Sequence, residues 1–581
     1  MHGLNRFTTW WTLFGVFLGM AGCAAVPVVP NMSGRGMELQ EQTDDEIYST
    51  VLQAHYLSFT GDVERGLSLF NDLLMRFPDR ADLHYQFAKF NIDLAYRVRD
   101  RQAVARLLDT ARMHLEKSVD LDPGNNESRR TLADVCIEQG DFDAALGQLG
   151  IMVKENPEDD EAVLALARLL VHVRNPSEAI AILESYIRQD PMTNYEFLKV
   201  YALACAELNH LDEAIDAYSR YIDKVPMDFE ASYNLALCCF RAGRNDRAEG
   251  ILRLLVAENM LTQEVVDLLT DVLKAQGRFD DAIAFLSSLT ENQRYRVSAI
   301  ITIGQIYMSL QKFEPAYDTL LRAVSIEPNN RRATFYTALA LSELGRFDDA
   351  LRMLENNLED RPLSVATVDL TSDILMQIGN IESALKLSGQ LMNERPKDAR
   401  AYIIRADVLE RAGRSEETID VLRSGCDVFP EHPQLHLALA YRLDRRGQWQ
   451  EAVDVLQALY EDRPDDPEIA NYIGYTLADR NVELDRALHL IRVAVDADPE
   501  NAAYLDSMGW VLFRLGRYEE AFDYLDRALR QYTEDPVVIN HMIRILIALD
   551  RTDAAREMLR KALESFPNNE DLQDTRKMME K

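Results

Sequence analysis

Apolar residues recur at helical spacing along nearly the whole chain, in short runs broken by polar turns. That pattern predicts pairs of short amphipathic helices rather than strands. The unit ending at Pro362 shows the form. It predicts a first helix over Arg332 to Leu344, a second over Phe347 to Leu358, and Gly345 between them. A glycine there enters a left-handed helix cap at little cost. Acidic residues after it suit the start of the second helix, whose dipole favours negative charge. A proline then stops that helix and opens the next pair.

The pattern repeats every 34 residues. The phrase Gly-x-x-x-x-Ala occurs as Gly140 to Ala145, Gly277 to Ala282, Gly345 to Ala350 and Gly516 to Ala521. Its alanine slot falls at Ala145, Ala179, Ala214, Ala248, Ala282, Ala316, Ala350, Ala384, Thr418, Ala452, Ala487, Ala521 and Ala555. Twelve residues later a proline commonly follows, as at Pro157, Pro328, Pro430 and Pro499. Twelve residues earlier stands a small residue, among them Ala133, Ala167, Ala202, Ala236, Gly304, Ala338, Ser372, Ala406, Ala440 and Gly509. The paired helices must cross closely there. Thr270 and Ile543 break the rule and predict looser or re-packed crossings. A 34-residue period with small, glycine, alanine and proline positions in this register resembles the tetratricopeptide repeat family. The resemblance implies an all-α, right-handed superhelical solenoid.

Two earlier units, one at Gly61 to Gly66 with Pro78 and one at Ala111 with Pro123, bring the array to about fifteen repeats over residues 44–568. Eleven extra residues around Val98 to Asp109 predict about three added helical turns. One residue is inserted near Ala487, and the missing prolines at Met260 and Arg294 make Ala257 to Arg296 the expected bend. Residues 569–581 read as a short helical tail.

The N-terminus differs in kind. Arg6 precedes an apolar run, Phe7 to Leu18, followed by Met20-Ala21-Gly22-Cys23. A run this short reads as an export signal, not a membrane span. The four residues resemble a bacterial lipobox with methionine where leucine is usual. That resemblance implies a signal over residues 1–22 and lipidation of Cys23; the alternative is ordinary cleavage near Ala25. Ala24 is similar to the residue that follows the cysteine in lipoproteins sent to the outer membrane. Residues 23–43 read as a flexible tether with a reach on the order of 25 Å. The expected location is the bacterial outer membrane, lipid-anchored and facing the periplasm.

A formal net charge of −33 disfavours nucleic acid as a partner. It suits a neutral or basic partner, or serves only solubility. The remaining cysteines, Cys136, Cys205, Cys238, Cys239 and Cys426, show no framework spacing and read as buried free thiols. The glycines of Gly61 to Gly66 lack the lysine and hydroxyl of a phosphate loop. His432 and His436 are four apart, but Pro433 puts the first at a turn. No metal site, cofactor or catalytic constellation is expected.

Tetratricopeptide repeats line a concave groove with the first helix of each pair. Carried over by register, that groove gathers Tyr441, Asn471, Tyr475, Trp510, Phe513, Arg514, Asn540 and Arg544. Aromatic residues beside arginine make hot spots, and asparagines can hold an extended backbone. Alternatively Trp510 and Phe513 pack between helices. The middle of the row is acidic, with Asp267, Asp271, Asp369, Asp373 and Asp407, suited either to a basic segment or to solvent. Lys199 is followed by Leu203, and Asn234 stands alone, so neither the family's chaperone-tail clamp nor its sugar-transferase asparagine ladder is matched.

The runs Asn471 to Arg480 and Tyr504 to Trp510 resemble a group of Gram-negative outer-membrane tetratricopeptide lipoproteins. One member recruits and activates a periplasmic carboxyl-terminal processing protease and presents its substrates. The resemblance implies a non-catalytic scaffold that holds a protein or extended peptide. The alternative is a scaffold for a polysaccharide-export or pilus machine.

Overall fold

The computed structural model describes residues 36–189, 194–359, 361–531 and 534–580. The expected signal over residues 1–22, Cys23 and the residues up to 35 lie outside them. Thirty-one helices follow one another, and no strand occurs among the described residues. Twenty-eight of them pair as fourteen antiparallel hairpins; Gln263–Ala275 closes the first compact unit, Phe279–Leu289 opens the second, and Glu570–Met579 is the last helix. In each hairpin we call the first helix A and the second B.

Two kinds of turn punctuate the array. Between A and B the chain needs a left-handed residue. Gly345 takes φ +71° there, and Asn209, Asn481 and Asp550 replace glycine at φ 57 to 62°. These residues tolerate that region best after glycine. Between hairpins, a proline is followed by an asparagine or aspartate that caps the next helix A. Asn330 accepts from the Ala333 N–H at 3.0 Å, and Asp228 does the same for Ala231. Helix B opens differently. Arg346 makes no side-chain cap but pairs with Asp349 at 2.8 Å, as Arg517 does with Glu520 at 2.6 Å. Such exposed pairs add little each.

The small crossing residues explain the closeness of A and B. Ala133, Ala167, Ala202, Ala236 and Ala338 are fully buried, as are the alanines facing them. At Gly304 a Cβ would lie 2.4 Å from Leu320 Cγ; at Gly509 it would lie 1.7 Å from Leu525 Cδ2. Gly474 serves the crossing in the hairpin with the inserted residue, where a Cβ would meet Ile491 at 2.7 Å. Ile543 is wholly buried, so that crossing is re-packed around a larger side chain and stays closed.

Helix placement follows the sequence closely. Phe347–Leu358 coincides with the expected second helix, and Arg331–Glu343 begins one residue early. Two expectations need correction. The eleven extra residues do not make three helical turns. Helix Arg101–Leu121 has 21 residues against the usual 14, two turns more. The rest lengthen its partner, Ala81–Ala95, and the turn between them. The first helix, Gly36–Thr60, begins inside the stretch 23–43 expected to be a tether; residues 23–35 of that stretch lie outside the described residues. Beyond Gly36 that stretch holds no proline or glycine and is rich in Glu, Gln, Met and Leu, all good helix formers.

Contacts divide the array into two compact units after Gly277, within the stretch whose prolines are missing. In the first unit, Cys136, Cys205, Cys238 and Cys239 are buried free thiols. In the second, Cys426 is half-buried, and burial pushes its thiol up to about 12. A thiol so raised stays protonated and unreactive at neutral pH.

Candidate functional site: the last A-helix row

Four successive A helices carry the expected groove residues: Pro433–Arg445, Pro467–Asp479, Ala502–Arg514 and Pro536–Ala548. Each capping residue fixes where its helix starts and hence which side chains share the row. Asp466, Asn501 and Asp535 cap three of them. Pro467–Asp479 packs both on its own helix B and on Ala502–Arg514, so side chains one repeat apart meet.

Their surroundings separate the eight residues. Tyr441 is 48% exposed, with its ring edge-on to Tyr472 at 4.8 Å. Burial, then Glu468, raises its phenol above the ordinary range. Tyr475 is half-buried; burial, followed by Asp506 and Asp479, raises its phenol too. The buried Asn471 Oδ1 and Arg544 Nε have no hydrogen-bond partner. The Arg544 guanidinium stands 5.9 Å from the centre of the Trp510 ring. Phe513 is half-buried and stacks on Trp510 at 5.0 Å.

The other three are committed to the fold. Trp510 is only 2% exposed, stacked between Phe513 and His541, the latter at 4.0 Å. It packs between neighbouring helices, the second of the two readings its sequence left open. Arg514 Nε donates to the Ala478 carbonyl at 2.9 Å and its Nη2 to that of Asp479. It thereby ties its helix to the end of the previous helix A, where the Ala478 carbonyl also accepts from the Asn481 N–H at 3.0 Å. Asn540 is buried and accepts from the Thr575 hydroxyl at 2.7 Å, which fastens the last helix.

Two residues of this cluster were not singled out by sequence. Asp506 and His541, both buried, meet at 2.9 Å beneath Trp510. They stand 35 residues apart, one repeat, and that spacing is the signal that could have found them. The same spacing joins Asp407 to Arg442 at 2.8 Å, and a similar one joins Asp444 to Arg480 at 3.1 Å.

Such cross-repeat pairs also hold two of the five acidic residues of the middle. In the second unit Asp407 is held by Arg442 and Asp373 by Arg411. Asp369 has no such partner among the described residues, and its carboxyl is pushed upward by burial, then by Asp373 and Asp407. In the first unit Asp271 pairs with Lys274 at 2.9 Å and Asp267 accepts from Gln263 at 2.8 Å. Lys199 is engaged by Asp228 at 2.8 Å and Glu230 at 2.9 Å. His432 stands at the N-cap position of Pro433–Arg445 without a side-chain capping bond, and its carbonyl accepts from His436 Nδ1 at 3.0 Å.

A row of stacked helical hairpins with a half-open aromatic and polar face defines a repeat protein of the interaction-scaffold class. Family models described as tetratricopeptide repeat match residues 127–150, 151–425, 437–536 and 512–578, together more than half of the sequence. The chain belongs to the tetratricopeptide repeat family, whose solenoids bind protein partners or peptides. A tetratricopeptide repeat-containing protein of Pseudomonas aeruginosa is 43% identical over 67 residues, covering 12% of this chain and 11% of that protein. Lipopolysaccharide assembly protein B of Escherichia coli is 27% identical over 147 residues, covering 24% of this chain and 38% of the relative. The matches thus span well under half of either relative. Among solved structures, the Cut9-Hcn1 assembly aligns with a TM-score of 0.35 and 17% identity, covering 84% of this chain and 98% of its own. The Naa15/Naa10 complex bound to HypK aligns at 0.36 and 14%, covering 94% and 92%.

Proposed function

We infer that this chain is a lipid-tethered scaffold of the bacterial outer membrane, facing the periplasm, and that its last four A helices hold an extended segment of a partner protein. The observation that carries this reading is that the same row of A helices presents an exposed aromatic, Tyr441, and two buried polar atoms without a hydrogen-bond partner, Asn471 Oδ1 and Arg544 Nε. An unpaired buried polar atom costs roughly 1–3 kcal/mol, which a backbone amide or carbonyl can relieve. The partner class favoured is a periplasmic protease of the carboxyl-terminal processing type, with the scaffold presenting its substrates. The resemblance of Asn471 to Arg480 and of Tyr504 to Trp510 to that lipoprotein group supports it. A second reading, a scaffold for envelope polysaccharide assembly, draws on the likeness to lipopolysaccharide assembly protein B over 147 residues.

Affinity capture from the envelope fraction, comparing the full chain with Tyr441→Ala, separates these readings. Loss of a protease and its substrates from the variant supports the first, and loss of polysaccharide-assembly proteins the second. An unchanged catch removes the groove from the account. Mass analysis of the mature N-terminus checks the anchor: a diacylglyceryl group on Cys23 is expected, and an unmodified start near Ala25 contradicts it.

A further inference from the structure

The first helix, Gly36–Thr60, exposes an apolar stripe. Tyr48 is 68% exposed, Leu52 54%, Tyr56 66% and Phe59 77%. Their spacing of four, four and three residues sets them on one face. The opposite face, with Ile47, Val51 and Ala54, is buried in the hairpin.

The repeat register says why the stripe is open. Ala54 is the small crossing residue, and Tyr56 stands two places after it. The residues two places after later crossings, Val135, Ala204, Ile306, Ile374 and Val511, are all 3% exposed or less. Each of those helices packs against the helix that precedes it; Gly36–Thr60 has no preceding helix among the described residues. Repeat arrays normally close such an end with a polar face. This one is aromatic instead.

We propose that the stripe is a self-association surface, on which a second copy of this chain lays its own Gly36–Thr60 helix antiparallel. Charge favours that arrangement. Asp45 lies on the stripe's arc ahead of Tyr48 and makes no ion pair among the described residues. At the other end the Arg97 guanidinium lies 5.8 Å from the centre of the Phe59 ring. Antiparallel pairing brings Asp45 of each copy to Arg97 of the other, in a two-fold, self-complementary contact. Aromatic side chains bury about 150–250 Å² each when covered. Three of them with Leu52 and the charged rim remove on the order of 1,200 Å² from both copies together, enough for a specific dimer. A membrane surface fits less well. The helix holds Glu38, Glu41, Asp44, Asp45 and Glu46 and no lysine or arginine, whereas interfacial helices are rich in basic residues.

The test is sedimentation of the full chain in detergent solution, with a photo-crosslinking residue in place of Tyr56 in a parallel sample. The expected results are a species of twice the chain mass and crosslinks to Gly36–Thr60 of a second copy. Tyr56→Arg and Leu52→Glu each weaken the dimer about tenfold or more, and helicity stays unchanged because both positions are exposed. The double exchange Asp45→Arg with Arg97→Asp restores part of the affinity that either single change removes. A monomer at all concentrations overturns the proposal. So does a dimer indifferent to both variants, or a crosslink that goes only to lipid or to residues 1–35 of the same chain.

Discussion

Gly509 is the residue whose replacement tests the packing most sharply. In the middle of Ala502–Arg514, an alanine ordinarily stabilises a helix by about 1 kcal/mol over glycine. Here the new Cβ would lie 1.7 Å from Leu525 Cδ2, 3.1 Å from Leu525 Cγ and 3.1 Å from the Ala521 carbonyl oxygen. Leu525 is fully buried, so its methyl has nowhere open to go, and the backbone oxygen moves only with its helix. Overpacking of this kind costs typically 1–3 kcal/mol. With the helix gain set against it, Gly509→Ala should destabilise by up to about 2 kcal/mol, and Gly509→Leu by about 3 kcal/mol. Gly150, where a Cβ meets nothing within 4 Å, supplies the contrast: Gly150→Ala should stabilise the first unit by up to about 1 kcal/mol. Urea unfolding of the chain lacking residues 1–22, followed by tryptophan fluorescence, reads the second unit, because the tryptophans it keeps, Trp449 and Trp510, both lie there. Circular dichroism reads Gly150→Ala. Leu525→Ala should also cost less in the Gly509→Ala background than alone, a coupling expected of side chains in contact. If Gly509→Ala raises the midpoint as Gly150→Ala does, the close crossing is wrong.

Trp510→Ala should cost about 3–5 kcal/mol in the same unfolding assay, because it empties a core position, whereas Tyr441→Ala should change stability by less than about 1 kcal/mol; equal losses would put Tyr441 in the core. Asn540→Leu removes the acceptor of the buried Thr575 hydroxyl and should loosen Glu570–Met579, seen as faster hydrogen exchange there, with other helices unchanged. His114 touches His84 at 2.7 Å, and burial, reinforced by His84, lowers its pKa to about 4. The folded state then binds fewer protons than the unfolded one between pH 6.5 and 4. Stability of the first unit should therefore fall as pH drops through that window, and His114→Gln should flatten the slope; an unchanged slope rejects the histidine pair as its cause. Cys136, Cys205, Cys238 and Cys239 should resist a thiol reagent until the protein unfolds, and rapid labelling of the native chain would contradict their burial.

The repeat made most of the fold legible. Alanine, glycine and proline at fixed offsets locate the crossings and turns, because each answers a steric demand that few other residues meet. Gly474 escaped because the inserted residue near Ala487 moves it one place out of register. The length of Arg101–Leu121 was misjudged because extra residues can lengthen a helix, its partner or a turn, and composition does not say which. The site was less legible. Register identifies the row, but not whether a side chain turns inward, so Trp510, Arg514 and Asn540 look the same as Tyr441 until their neighbours one repeat away are known. Asp506 and His541 show the reverse: a buried pair that becomes visible only when residues 35 apart are compared.

Photo-crosslinking in living cells tests the central claim, that the last A-helix row grips a polypeptide, most directly. A probe at Tyr441 should yield discrete protein adducts attached through an extended segment, while a probe at the exposed helix-B residue Arg352 should yield none of them. Identical adducts from both positions, or none from Tyr441, would contradict it.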